Sequence, residues 1–285
     1  MNKSLFFISF IFLIATTTLA QSPWVLKKSG IYTQFTFNTI PEYHTLFNGK
    51  GVTFETSRLV KDRTLQIYTE YGLTDKFTMI ASVPYKLIEL TTLNPSYNGP
   101  TENIPEATKV NAPGNIQLSL KYKILQQKWV SALQIRLETP ASPKTGISTG
   151  FDAFSIFPII SVGRGWNKFY TFYWLSAIIR GNNYSEYLNS GIEAGVRANR
   201  NIWIIAYSEL MHSFNNGTRP ATPQSQEFGL YSDNLEYFSF GIKTVFEKSL
   251  KNENKIGLIA NLAGSFSGRF VAHAPFLSIG VFLKH

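Results

Sequence analysis

From Asn115 to Ile124 the chain alternates without a break: Ile116, Leu118, Leu120, Tyr122 and Ile124 are apolar, and Asn115, Gln117, Ser119, Lys121 and Lys123 are polar. Residues two apart share a face of a strand, whereas a helix repeats every 3.6, so this period belongs to a β-strand. After a tight Gln126-Gln127-Lys128 connection the pattern resumes. Ser131, Leu133, Ile135 and Leu137 oppose Val130, Ala132, Gln134, Arg136 and Glu138. Comparable runs cover 29–38, the two arms of 68–85, 154–164, 169–180, 188–198, 202–212, 235–246, 255–265 and 275–284, which makes about twelve strands. Each is close to the 9 to 11 residues of a tilted bilayer-spanning strand.

The connections take two lengths. Short ones lie at 72–75, 126–128, 165–168, 199–201 and 249–254; longer, Asn-, Gly-, Pro- and Ser-rich ones lie at 39–60, 91–113, 140–153, 181–187, 213–234 and 266–274. Short turns on one side and long loops on the other describe an outer-membrane barrel. A soluble β-sandwich also alternates, but it buries its apolar faces. Lipid offers backbone amides no partners, so a sheet placed there must close on itself. The expected fold is therefore an all-β, antiparallel transmembrane barrel of about twelve strands, with short periplasmic turns and long extracellular loops. Pro84 and Pro158 fall inside strand candidates, where each removes a ladder donor and favours an edge, a bulge or a strand end.

Composition agrees with a lipid-facing sheet. Aromatic residues make up 15% of the 285 residues and charged residues 16%, with mean hydropathy near zero. Many aromatics without long apolar runs fit dyad-patterned strands better than membrane helices. The opening MNKSLFFISFIFLIATTTLA has a lysine, an apolar core and a Thr-Leu-Ala end, the pattern of a secretory signal over 1–20, which leaves 21–285 as one barrel domain. Cleavage there would lower the formal net charge from +9 to +8. The chain has no cysteine, which excludes disulfides, thiolate metal sites and a lipoprotein anchor. A basic exported chain is expected to meet outer-membrane lipid and lipopolysaccharide, and no interleaving of aromatic and basic residues points to nucleic acid.

Glu70-Tyr71-Gly72-Leu73-Thr74-Asp75, followed by a strand ending in Val83-Pro84-Tyr85, resembles a marker of the outer-membrane transporter family associated with the phenol-degradation meta-pathway. Pro113-Gly114-Asn115 and the strand ending in Lys121-Tyr122 resemble its second marker, with Asn115 standing where an acidic residue is expected. The resemblance implies an outer-membrane barrel that passes small compounds, hydrophobic or aromatic ones among them. The alternatives are a structural or adhesive barrel and an outer-membrane lipid hydrolase.

Leu210-Met211-His212-Ser213-Phe214-Asn215-Asn216-Gly217 looks superficially like the His-x-Ser run of barrel lipases, but a His–Ser dyad needs the two residues on one face. Adjacent residues on a strand point to opposite faces, so no catalytic pair is expected. No metal or cofactor motif appears, and neither a metal nor a cofactor is expected. Charges cost about 2 to 4 kcal/mol on the lipid face near midplane, which assigns Glu70, Lys121, Lys123, Arg136, Glu138, Glu193, Arg197 and Glu209 to the lumen, with Lys243 a further candidate. There they either fill the barrel as a salt-bridge network or set the selectivity of a pore. Tyr85, Trp129, Trp166, Phe169, Tyr170 and Trp203 lie near strand ends and are expected in the interfacial girdles. Leu277, Ile279, Val281, Leu283 and the terminal His285 resemble a signal for the barrel-assembly machinery, which usually ends on an aromatic.

Overall fold

The computed structural model describes residues 21–49, 52–102, 104–141, 147–215, 228–250 and 254–285; the expected signal segment lies outside them. The strands are β1 (Ile31–Asn48), β2 (Thr53–Gly72), β3 (Phe77–Leu93), β4 (Thr108–Pro113), β5 (Gln117–Gln126), β6 (Val130–Glu138), β7 (Ser155–Gly165), β8 (Phe169–Arg180), β9 (Glu186–Arg197), β10 (Ile202–Asn215), β11 (Glu236–Ser249), β12 (Lys255–Ala272) and β13 (Phe276–Lys284). All pair antiparallel, and β13 returns to β1 from Tyr32↔Lys284 to Thr39↔Leu277. Thirteen segments make twelve staves, because β4 and β5 pair with successive stretches of β3, Tyr85–Leu90 and Phe77–Ser82. The closed twelve-stranded barrel expected from the alternation is what the chain forms.

The alternation reads directly onto the wall. On β5, Leu118 and Leu120 are 52% and 46% exposed while Ser119 and Lys121 between them are buried. Apolar out and polar in is the polarity of a barrel whose solvent is lipid. Inside, large rings lie over neighbouring glycines. A Cβ on Gly191 would come 2.1 Å from the Trp174 ring, and one on Gly195 would come 2.3 Å from Tyr170, so only glycine lets these rings lie flat on the wall.

Several stretches expected as loops are strand. β1, β2, β3 and β12 have 18, 20, 17 and 18 residues, so much of 39–60 and 266–274 continues the ladder beyond a bilayer span. β13 stops at Phe276, and above it β1 pairs with β12 directly, from Leu46↔Ala272 to Asn48↔Arg269. The barrel is thus much taller on one side. The apolar residues within these extensions, Leu46, Val60, Ile88 and Leu90 among them, pack on each other rather than on lipid.

Both prolines are accommodated as interruptions. Pro84 lies beside the break between β4 and β5, where Gly114 N donates to its carbonyl at 2.9 Å. Around Pro158 the β7–β8 ladder passes from Ile156↔Ile179 to Ile159↔Ser176 without intermediate pairs. At the broken stave Asn115 replaces the missing ladder. Its Nδ2 donates to the Thr139 and Phe151 carbonyls, both at 2.7 Å, and its Oδ1 accepts from Phe151 N at 2.8 Å.

Candidate functional site: the barrel lumen

The lumen is occupied from both ends. At the short-turn end the segment preceding β1 threads inside. Leu26 N donates to Thr78 Oγ1 at 2.9 Å and Lys28 N to Asp75 Oδ1 at 3.0 Å. Trp24 packs edge-on against Tyr170 and Phe172, each centroid at 5.6 Å, and Gln21 reaches Asn189 at 3.4 Å. The apolar Trp24-Val25-Leu26 run, three residues past the expected cleavage point, was the available signal for this segment.

At the other end the stretch before β11 folds inward. Tyr43 Oη donates to the Phe228 carbonyl at 2.8 Å, and Phe228 and Leu230 join the apolar cluster of the tall extensions. Between the two closures lies a cavity of about 350 Å³. Its wall is partly aromatic and carries two ion pairs. Lys86 Nζ lies 2.6 Å from Asp62, and Arg180 Nη2 lies 3.5 Å from Glu138. Tyr231 covers the first pair, with Lys86 Nζ 5.6 Å from its ring centre. Burial pushes the Tyr231 phenol up to about 12 while the Lys86 ammonium pulls it down, so it remains a donor at neutral pH.

The expected lumen residues divide into three groups. Glu70, Glu193 and Glu209 are buried and each accepts from a tyrosine: Tyr68, Tyr170 at 2.8 Å and Tyr237 at 2.9 Å. Glu193 is also paired with Lys243, and Glu209 accepts from Asn189 at 2.7 Å. Glu138 meets Arg180, and Gln117 donates to it at 2.9 Å. Lys121 and Arg136 are buried in the wall between the inserted segment and the cavity. Lys123 and Arg197 lie at the short-turn rim, where Lys123 reaches Gln126 at 2.5 Å and Arg197 covers the Trp203 ring at 4.8 Å.

The girdle expectation needs correction at two positions. Trp129, Trp166, Phe169 and Tyr85 point outward, but Tyr170 and Trp203 face in and pack on each other at 5.5 Å. Phe169 and Tyr170 are adjacent on one strand, so they cannot both face lipid. The sequence reading also missed Arg180, the Asp62–Lys86 pair and Tyr231, whose roles depend on which loops turn inward. His212 and Ser213 leave opposite faces. Ser213 is buried and donates to Glu236 Oε1 at 2.7 Å, and the 62% exposed His212 side chain brings Nδ1 to 3.3 Å from the same oxygen, so the two meet a shared carboxylate.

No family model matches the sequence, and no curated protein matches it. Among solved structures, an outer membrane channel from Pseudomonas putida F1 superposes with TM-score 0.68 at 9% identity, over 95% of this chain and 100% of that one. The NanC porin covers 89% of this chain and 98% of its own at 8% identity, TM-score 0.45. The Pseudomonas putida toluene transporter TodX covers 90% and 88% at 10% identity, TM-score 0.43. At these identities the likeness is one of architecture: the chain shares the barrel fold of the Pseudomonas putida F1 channel.

Proposed function

We propose that the protein is a passive outer-membrane channel for small compounds, aromatic ones in particular, exported through its N-terminal signal and inserted by the barrel-assembly machinery. The observation that carries this reading is the cavity of about 350 Å³ held between the two closures. It is at the small end of the 300 to 1,000 Å³ usual for small-molecule sites, and it combines ring faces with fixed polar groups. The two sequence markers of the phenol-degradation transporter family support the same reading. The short turns are then periplasmic, the tall side faces outward beneath lipopolysaccharide, and the inward charges act as wall rather than as catalysts.

The test is flux through purified barrel in liposomes, read by swelling in small aromatic solutes and by single-channel current. Passage of single-ring compounds with exclusion of disaccharides is expected. A second reading, a sealed structural barrel, is favoured by the closures at both ends. Proteoliposomes that stay tight to every solute and at every voltage would establish it and end the channel reading.

A further inference from the structure

We propose that Arg136, buried one rung beneath the lining of this cavity, holds the carboxylate of a single-ring aromatic acid, with Lys121 beside it. The inference rests on the channel reading for its physiological sense and on local chemistry for its content. Arg136 is 7% exposed, and its Nε and Nη2 have no hydrogen-bond acceptor among the described residues. Those two nitrogens form one edge of the guanidinium, the side-on fork that matches the two oxygens of a carboxylate. An ammonium presents no such fork, so charge alone does not account for an arginine here.

The surroundings add a second cation and a ring. The Lys121 side chain is fully buried and donates a long hydrogen bond, 3.5 Å, to the Trp24 carbonyl. Arg136 Cζ sits 5.4 Å from the centre of the Phe157 ring, which braces the other side of the guanidinium. The nearby carboxylates have donors of their own: Glu138 takes Arg180 and Gln117, Glu70 takes Tyr68, and Glu209 takes Asn189 and Tyr237. A buried cation edge left in this state is costly, and an anion brought to it gains accordingly.

Placement supplies the aromatic part. Arg136 lies two residues before Glu138 on the same inward face of β6, one rung below the cavity lining. Higher up, the Asp62–Lys86 and Glu138–Arg180 pairs are closed on themselves, and the rings of Phe151, Tyr187 and Tyr237 form wall. A ligand that uses both levels has an aromatic ring above and a carboxylate below.

Equilibrium titration of folded, detergent-solubilised protein with benzoate, phenol and acetate, followed by tryptophan fluorescence, tests this without any flux. Benzoate is expected to bind roughly tenfold tighter than either phenol or acetate, and Arg136→Gln to remove that advantage while leaving phenol unchanged. Arg136→Lys, which keeps the charge and loses the fork, is expected to behave like the glutamine variant. Benzoate binding no tighter than phenol, or unaltered by Arg136→Gln, overturns the site; acetate binding as well as benzoate overturns its aromatic half. If neither variant folds, competition on the intact protein decides: substituted benzoates must displace benzoate while phenols fail to. A barrel that binds benzoate but never conducts refutes the channel and keeps the site. One that conducts with Arg136→Gln indifferent refutes the site and keeps the channel.

Discussion

The two ends of the lumen are closed by different physics. The short-turn end holds one extended segment, tied by a few hydrogen bonds of about 0.5 to 1.5 kcal/mol each and by the Trp24 ring. The long-loop end is closed by an apolar cluster to which β1, β2, β3, β4 and β12 all contribute, with Phe228 and Leu230 set into it. The first closure is a separate segment packed inside the wall, with Pro23 fully buried and Trp24 set against Tyr170 and Phe172, whereas the second is continuous with the strands that carry it. The end with weaker ties is therefore the one expected to open.

Removing residues 21–28 from the exported chain is the sharpest way to test that difference. Single-channel conductance is expected to rise several-fold, because the segment fills the lumen beside Thr78, Asn189 and Tyr170. Unchanged current would make the outer cap the true seal. Next in size are changes to packing and charge. Phe228→Ala, at a fully buried ring in the outer cap, is expected to cost about 3 to 5 kcal/mol if the cap is integral to the fold. A loss well below 1 kcal/mol in urea unfolding from detergent would show that the cap is detachable after all. Lys243→Met removes the cation from the buried Glu193 near the lower end, leaving Tyr170 as a donor, and is expected to cost about 3 kcal/mol, with Glu193→Gln in the same chain recovering much of it.

Asn115→Asp tests the wall between the two ends and is expected to cost about 1 to 3 kcal/mol, read as a lower urea midpoint. It exchanges an amide that donates to two carbonyls for a carboxylate that repels both. The smallest effect is expected at Lys109–Glu89 on the exposed extension, 2.7 Å apart. The lysine holds the Glu89 carboxyl below its usual range through their hydrogen bond. That contribution is present above the unfolded carboxylate pKa and fades as the pH falls through the lowered value. Exposure to solvent keeps it small, and Lys109→Ala should shift the unfolding midpoint only within error at pH 7.

Asn115 also marks how far the reading of the chain reached. As the departure from an expected acidic residue it was visible in sequence, but its reason was not. The carbonyls it serves belong to Thr139 and Phe151, 24 and 36 residues away. The lumen charges follow the same division. Period-2 phase was enough to send Glu193 and Glu209 inward, but Tyr237 reaches Glu209 from the next strand and Lys243 reaches Glu193 across an intervening one, in a register that strand pairing sets.

What the sequence determined by itself was the wall. Alternation assigns each residue to lipid or lumen independently of its neighbours, and short turns impose antiparallel order, so strand number and polarity follow from local pattern. What fills the wall was decided only in three dimensions. The segment at 21–28, the inward loop at Phe228 and the edge of Arg136 acquire their meaning from residues distant in the chain. The reason is that a strand's two faces repeat every second residue whatever stands across the barrel, whereas a plug, a cap or a binding site exists only once the ring has closed around it.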